Sequence, residues 1–389
     1  MAKTFVGLVV FLLASIAMAS GERYVNVPYE GPESVKKIVD QGFEVGGINL
    51  KNKRITLIVA DGEMAKTREL RVLSSRPVGR PDSEYKNPAE VEMALLNWEN
   101  QYPHLLTVEK IGNSGEGRPI YAAHLTAKFV ASENPKPAIL FDAMHHAREV
   151  MTVEVGLDII EYLTTRYATD PKVQEWLNHY SIWVVPMVNP DGNNKVWNGN
   201  SMWRKNTSGG SGVDVNRNYP YAWNSCNGSS GNPSSLTYRG PSAGSELEGK
   251  ALTQLTARIQ PKFNISYHSF SELVIYPFGC SPKKIPSPDR EIYEKYGKAL
   301  AATLVSDSGS GSYNPGTSYE LLYNVDGGSI DWMYASEKVM SFVIEMNSDA
   351  QGFQPSYAKW RNKTVERQRA GWQYLLEQMK GPGIKPVTR

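Results

Sequence analysis

The chain has 389 residues, 41% hydrophobic and 21% charged, enough apolar sequence for a large core plus a smaller module. Its 42 basic and 40 acidic residues leave a formal net charge of +2. Like charges do not cluster into long runs, which argues against nucleic acid as a partner.

The first residues read as a targeting segment. Lys3 is a short basic region, Phe5 to Ile16 is apolar apart from Ser15, and Ala17-Met18-Ala19 fits the small-x-small cleavage rule. Residues 1–19 are expected to be a signal peptide, with Ser20 starting a secreted protein. The alternative is a membrane anchor. The apolar stretch is short for a span, and no later segment stays apolar over about 18 residues, so no membrane association is expected. Secretion permits a disulfide between Cys226 and Cys280; two unpaired buried thiols are the alternative.

Residues 20–74 read as a small α+β unit. Pro32 to Asp40 is a short helix entered by Pro, and Phe43 to Leu50 and Arg54 to Ala60 are strands around a Lys51-Asn52-Lys53 turn. Asp61 is expected to cap a further helical stretch reaching about Leu73. Residues 75–83, within the Pro/Ser/Gly-rich run from Ser74 to Ser83, read as an exposed linker and processing region. A secreted chain with a small leading unit and a cuttable linker suggests a propeptide removed by an activating protease. A permanent accessory domain is the alternative.

Residues 84–389 form the main domain. Pro88 to Gln101 reads as an amphipathic helix, with strands at Leu106 to Ile111, Ile120 to Leu125 and Ala138 to Ala143, and a helix from Val150 to Ala168. Further strands are expected at Ile182 to Val188, Phe263 to Tyr267 and Val339 to Glu345, before a closing helix from Thr364 to Met379. Such alternation predicts an α/β domain with helices on both faces of a sheet. Sites in such sheets gather at the carboxyl ends of strands.

The run Phe141-Asp142-Ala143-Met144-His145-His146-Ala147-Arg148-Glu149 follows one of these strands. An imidazole at 146 and a carboxylate at 149 can meet one metal ion from a short loop, and His268 at the end of another strand supplies a third ligand. Catalytic zinc uses such a His₂Glu set and keeps a position for water. Alone, an H-x-x-E pair is weak. Two further runs keep it company: Trp203-Arg204-Lys205-Asn206 with Gly212-Val213-Asp214-Val215-Asn216-Arg217-Asn218-Tyr219, and Tyr323-Asn324-Val325-Asp326-Gly327-Gly328-Ser329-Ile330-Asp331-Trp332 with Phe342-Val343-Ile344-Glu345.

In this order and approximate spacing, the runs resemble the zinc metallocarboxypeptidases of the carboxypeptidase A/B type, over roughly residues 84–380. The short leader and the Ser230-Gly231-Asn232-Pro233-Ser234-Ser235 segment are more similar to the bacterial carboxypeptidase T branch than to the pancreatic one. The resemblance implies a mixed twisted sheet in an α/β/α sandwich, one Zn²⁺ on His146, Glu149 and His268, and a monomer acting on peptide or protein C-termini. Zinc would polarise the scissile carbonyl and acidify a water. Glu345 would be the general base and then acid, and Arg204 the oxyanion donor. Arg217 and Asn216 would hold the free C-terminal carboxylate, Arg148 would contact substrate near the reacting bond, and Tyr323 would close over it. Asp214 would orient His146. A second arginine found in pancreatic members is replaced by Thr207.

Ile330 matches the floor of the family's specificity pocket, an aspartate in basic-specific members. Ile275, Leu322, Val325 and Val343 match its walls, with Gly279 and Ser266 keeping it open. This implies preference for large hydrophobic or aromatic C-terminal residues, while Asp326 leaves open mixed hydrophobic and basic specificity. Another class of function is a non-catalytic, zinc-stabilised peptide-binding homologue, which would need neither Glu345 nor Arg204. A cell-wall amidase on the same fold is disfavoured by Asn216, Arg217 and Tyr323. The H-E-x-x-H signature of zinc endopeptidases is absent.

Overall fold

The computed structural model describes residues 21–129, 135–280 and 283–381. The expected signal peptide lies outside the described residues.

The N-terminal unit runs β1 (Glu22–Pro28), α1 (Pro32–Asp40), β2 (Glu44–Asn49), β3 (Arg54–Ala60), a 3₁₀ segment (Asp61–Glu69) and β4 (Ser74–Pro77). Its strands lie in the order β2-β3-β1-β4. The five central residues of β3, Ile55 to Val59, are all buried, as a strand covered on both faces requires. Ile55, Leu57 and Val59 pack with Val35 and Ile38 of α1, while Ile58 joins Tyr24, Phe270 and Phe353.

Three local expectations change here. β1 was not foreseen. The stretch after Asp61 is a 3₁₀ segment, whose cap position is Ala60 and carries no side-chain hydrogen bond. The expected linker begins as a strand: β4 pairs antiparallel with β1, Ser74 opposite Asn26 through Pro77 opposite Arg23. Ser and Pro composition suggested a loop, but a short edge strand tolerates Pro because one of its sides is unpaired.

The main domain continues α2 (Pro88–Gln101), β5 (Leu106–Asn113), β6 (Pro119–Leu125), β7 (Ala138–Ala143), α3 (Val150–Arg166), α4 (Pro171–His179) and β8 (Ser181–Val185). Then come α5 (Pro190–Trp197), α6 (Leu247–Ile259), β9 (Phe263–Ser269), β10 (Leu273–Ile275) and α7 (Asp289–Thr303). The last elements are β11 (Asn314–Gly316), α8 (Ser318–Leu321), α9 (Ser329–Glu337), β12 (Met340–Met346) and α10 (Tyr357–Glu377). α2 starts where its chemistry directs: Asn87 accepts from the Glu90 amide, Glu90 returns the bond to the Asn87 amide, and Pro88 occupies the first turn.

The eight strands lie in the order β11-β10-β12-β9-β7-β8-β6-β5. The centre, β12-β9-β7-β8, is parallel, and antiparallel β10 and β6 flank it. In β7, Ile139 and Phe141 face a core shared with α3, α7 and α10, whereas Leu140 faces one built with Leu252, Leu255, Trp332 and Met333 of α6 and α9. Alternate residues of one strand thus serve two cores, which makes the expected α/β/α sandwich. Cys226 and Cys280 form a disulfide with Cα atoms 5.8 Å apart.

Candidate active site

Three parallel strands end at one place. β7 leads into the loop carrying His146, and Glu149 sits at the cap position of α3. β9 ends at His268–Ser269, and β12 sets Glu345 directly opposite His268 in register. His146 Nδ1 lies 2.7 Å from Glu149 Oε1, and His268 Nδ1 lies 3.1 Å from both His146 Nδ1 and Glu149 Oε2. All three residues are buried.

Two imidazole nitrogens and a carboxylate facing one point suit a dication. Ligands about 2.0 Å from zinc in a tetrahedral site lie about 3.3 Å apart, close to this triangle. Among the described residues, His146, Glu149 and His268 are the group whose geometry could hold a metal. Burial would raise the Glu149 pKa, but His146 and His268 hold the carboxyl well below its usual range. Burial also lowers the His268 pKa, which favours the neutral, ligating imidazole.

The outer partners are equally ordered. His146 Nε2 faces Asp214 Oδ1 at 3.3 Å, and Arg204 donates Nη2 and Nε to Asp214 Oδ2 at 2.9 and 3.2 Å. Burial alone would raise the Asp214 pKa, yet Arg204 and then His146 keep it well below the carboxylate range. Asp214 also caps the 3₁₀ turn Val215–Arg217, aiming Asn216 and Arg217 into the cleft. The Asn216 side-chain Oδ1 accepts from the Ser329 amide at 2.9 Å, and Arg217 donates to Gly228 O and to the Asn216 backbone O. These two residues tie the loops together and line the cleft at once.

Glu345 keeps part of its surface open to the cleft. Burial first, then the nearby Glu149, raises its pKa above the ordinary value, while Arg204 and Arg217 pull the other way. Tyr323 stands half-buried in the wall. Ile275, Gly279, Leu322, Val325, Ile330 and Val343 line the pocket beyond.

Two expected pocket residues are elsewhere. Asp326 is fully buried and its Oδ2 accepts from the Ser225, Cys226 and Gly228 amides, each at 3.1 Å. It braces the loop around the disulfide and is not among the residues lining the pocket. Ser266 lies beneath the site, donating to Asp142 Oδ1 at 2.6 Å. Asp142 also accepts from Asn264 at 2.6 Å, and burial pushes its pKa up to about 6. His145 stacks on His268 with centroids 5.4 Å apart and meets the Tyr219 hydroxyl at 2.8 Å. This buried layer under the ligands had only adjacency to His146 as a sequence signal.

Another acid, Asp331, lines the pocket next to the floor residue Ile330. It is 2% exposed and accepts from the Gly279 amide at 2.9 Å. Burial pushes its pKa up to about 7, against the lowering effect of that amide. Between the ordinary carboxylate pKa and about 7 the folded state binds more protons than the unfolded chain, so this residue lowers stability as pH rises through that window. Asp331→Asn should therefore raise the melting temperature above pH 7 and leave it nearly unchanged in acid. Equal shifts at both pH values would refute this account.

The N-terminal unit enters the same cleft. Val45, Gly46 and Gly47 of β2 line the pocket, leaving a water-accessible space of about 80 Å³, small beside ligand pockets of roughly 300–1,000 Å³. Gly47 lies so close to Phe270 that a Cβ would sit 2.3 Å from its carbonyl oxygen. Glu44 pairs with Arg148 at 2.5 Å, and Arg148 lies over Phe353, 4.1 Å from the ring centroid. Arg148 is therefore no solvated loop charge. The Ile48 amide donates to Ser271 Oγ at 2.9 Å and Asn49 to Asp349 Oδ1 at 2.6 Å. Ile275, Leu322, Ile330 and Val343 share one apolar cluster with Val25, Ile48 and Leu57 of the unit. A second opening of about 1310 Å³ runs beside the unit and reaches Arg148, Arg204 and Tyr323.

The chain is similar to known carboxypeptidases. Carboxypeptidase A1 of Homo sapiens is 36% identical over 258 residues, which cover 65% of this chain and 59% of that protein. The chain thus spans less than two thirds of that relative. Carboxypeptidase A2 of Mus musculus is 31% identical over 329 residues, covering 83% of this chain and 76% of that protein. The crystal structure of carboxypeptidase A from Helicoverpa armigera superposes with a TM-score of 0.75 at 20% identity, over 92% of this chain and 97% of that one, and so shares the fold. A family model described as zinc carboxypeptidase matches residues 91–370. With the His146–Glu149–His268 triangle at the ends of its parallel strands, the chain belongs to the zinc carboxypeptidase family.

Proposed function

We propose that this protein is the secreted precursor of a zinc-dependent exopeptidase that removes large hydrophobic or aromatic residues from peptide C-termini. The observation that carries the reading is the His146–Glu149–His268 triangle with Glu345 opposite His268 and an apolar pocket beside it. Zinc held by these three residues would supply Lewis acidity to the scissile carbonyl and to a water. Glu345, beside the ligands, would take a proton from a water and return it to the leaving amine. Arg204, fixed by Asp214, donates to the oxyanion, an interaction worth about 3–4 kcal/mol in the transition state. Arg217 and Asn216 hold the substrate's terminal carboxylate. Arg148 contacts the chain near the reacting bond, and Tyr323 covers it.

Ile330, Ile275 and Val343 make an apolar seat, and the buried bracing role of Asp326 leaves basic side chains without a partner at that position. The N-terminal unit acts as a propeptide: β2 occupies the pocket, and Glu44 takes the Arg148 that substrate would use. Among the described residues no helix is long and apolar enough to cross a membrane.

The test is amino-acid release from matched peptides ending in Phe, Leu, Arg or Glu, each as free acid and amide, with and without a zinc chelator. Chelator-sensitive release of Phe and Leu from free acids alone is expected. Release from amides would remove the carboxylate-reading role of Arg217, and preference for Arg would overturn the apolar pocket. The intact chain should be far slower than the protein freed of its N-terminal unit; equal rates would end the propeptide reading.

A further inference from the structure

Of the consecutive residues Trp203, Arg204, Lys205 and Asn206, Arg204 alone lines the pocket. Asn206 is fully buried. Its backbone amide donates to Val213 O at 3.0 Å, and the Val213 amide donates back to Asn206 Oδ1 at 2.7 Å. The Ser208 amide also donates to that oxygen, at 3.2 Å. These bonds close residues 207–212 into a loop whose two ends lie side by side. Arg204 stands two residues before the bridge and Asp214 one residue after it, and the two meet at 2.9 and 3.2 Å. Gly212, at φ +73°, lets the chain turn there, since a Cβ would sit 2.3 Å from Asn206 O.

The other half of the Asn206 amide is held by a different element. Nδ2 donates to Glu246 Oε2 at 2.7 Å and to Glu248 Oε2 at 3.1 Å. Glu246 is the cap position of α6 and Glu248 lies in its first turn, and both are buried. Ser208 Oγ donates to Glu246 Oε2 and Ser245 Oγ to Glu246 Oε1, each at 2.5 Å. The Gly115 amide reaches Glu248 Oε1 at 3.4 Å. Two carboxylates on one side and two backbone donors on the other leave the amide one orientation. Burial raises the Glu248 pKa, while its own backbone amide and Asn206 pull the other way. α6 is itself fixed, because Leu252 and Leu255 pack into the core beneath the sheet. A loop holds a charged group less precisely than a helix or strand does, and a buried tie to a packed helix supplies that precision.

We propose that Asn206 is a positioning residue: anchored on Glu246 and Glu248 at the start of α6, it sets the Arg204 guanidinium toward the oxyanion and, through Val213, the Asp214 carboxylate toward His146. The inference rests on the oxyanion role given to Arg204 above. One buried amide thereby governs two groups at once, one acting on substrate and one on a metal ligand.

The test folds every variant as the full chain and reads zinc affinity by competition with a chelator. It then reads kcat and KM for a C-terminal Phe peptide on zinc-saturated protein whose N-terminal unit has been cut away. Asn206→Asp keeps the size and the acceptor for Val213 but places a third acceptor against two carboxylates. Its kcat should fall about 10- to 100-fold, the cost of a small misplacement near the chemistry, with KM nearly unchanged. In the Arg204→Gln background the same change should alter kcat by no more than about twofold, because a residue acting through another is not additive with it. Asn206→Asp combined with Glu246→Gln exchanges amide and carboxylate across the contact and should recover most of the loss. Zinc affinity of Asn206→Asp should drop, by less than the roughly 10- to 100-fold expected for loss of an outer partner itself. Should Asn206→Asp not fold, Asn206→Ala carries the same expectations for kcat and zinc. Wild-type kcat in Asn206→Asp, an undiminished loss in the Arg204→Gln background, no recovery in the exchange, or unchanged zinc affinity would each overturn the proposal. Arg204→Gln as active as wild type would instead remove the oxyanion reading, and the zinc measurement would then decide the link to Asp214.

Discussion

Glutamine at position 345 is expected to lower kcat by roughly 10²–10⁴-fold, the range that a positioned general base contributes, while peptide affinity stays nearly unchanged. The substitution keeps shape and removes one proton-accepting oxygen. Glu345 stands opposite His268 in the β12–β9 register, so its place is set by the sheet and not by a mobile loop. Burial and the Glu149 charge raise its pKa, and a carboxylate so placed accepts a proton readily and can give it back. The folded state therefore holds its proton to higher pH than the unfolded chain does, so its ionisation lowers stability as pH rises. The melting temperature of Glu345→Gln should accordingly not fall. Single-turnover hydrolysis and calorimetric binding of a C-terminal Phe peptide, both on protein freed of the N-terminal unit, separate the two effects. Turnover within a few-fold of wild type would remove Glu345 from the chemistry. Equal loss of binding and turnover would make it a substrate contact instead.

The second large effect is expected at His268. Changing this residue to alanine removes one of three ligands and leaves Glu149 Oε2, which meets His268 Nδ1 at 3.1 Å, with the Ser269 amide at 3.2 Å as its remaining partner. Loss of an outer partner of a metal ligand costs about 10- to 100-fold in metal affinity. Loss of a ligand itself should exceed that, and Asp214→Asn, which alters the partner of His146 Nε2, should fall within it. Zinc per chain measured after dialysis against a buffered zinc concentration gives the order directly: wild type, Asp214→Asn, His268→Ala. Hydrolysis should follow the same order. Full zinc occupancy in His268→Ala would place the ion elsewhere. The contrast also tests Arg204, because Asp214→Asn weakens the ion pair that fixes its guanidinium. A kcat deficit in fully zinc-loaded Asp214→Asn is the expected signature of that second role.

The N-terminal unit supplies its own measure of how the site is held. Glu44, Val45, Gly46 and Gly47 come from β2, and the apolar pocket residues share a cluster with Val25, Ile48 and Leu57. Nothing in the composition of Val45-Gly46-Gly47 points to a cleft. Two adjacent glycines in a strand do indicate close approach by other groups, and here Gly47 meets Phe270.

What the sequence by itself determined is what local chemistry determines. The helix from Pro88, the apolar run of β7 and the His146–Glu149 pair are readable because each rests on residue type and short-range spacing. The α/β/α layering followed from alternation of helical and strand periods. Only the tertiary structure decided the rest, because strand register, side-chain direction and long-range pairing are set by contacts far apart in the chain. Ser74–Pro77 became a strand through β1, some 50 residues away, despite its loop-like composition. Asp326 turned away from the pocket because three loop amides satisfy one of its buried oxygens. Asp331, which no pattern singled out, reached the pocket on the first turn of α9. Glu345 gained its place beside the ligands from the pairing of β12 with β9, and Arg148 its ion pair from Glu44 of β2. A buried polar group must find its partner wherever the fold brings one, and that search has no signature in neighbouring residues.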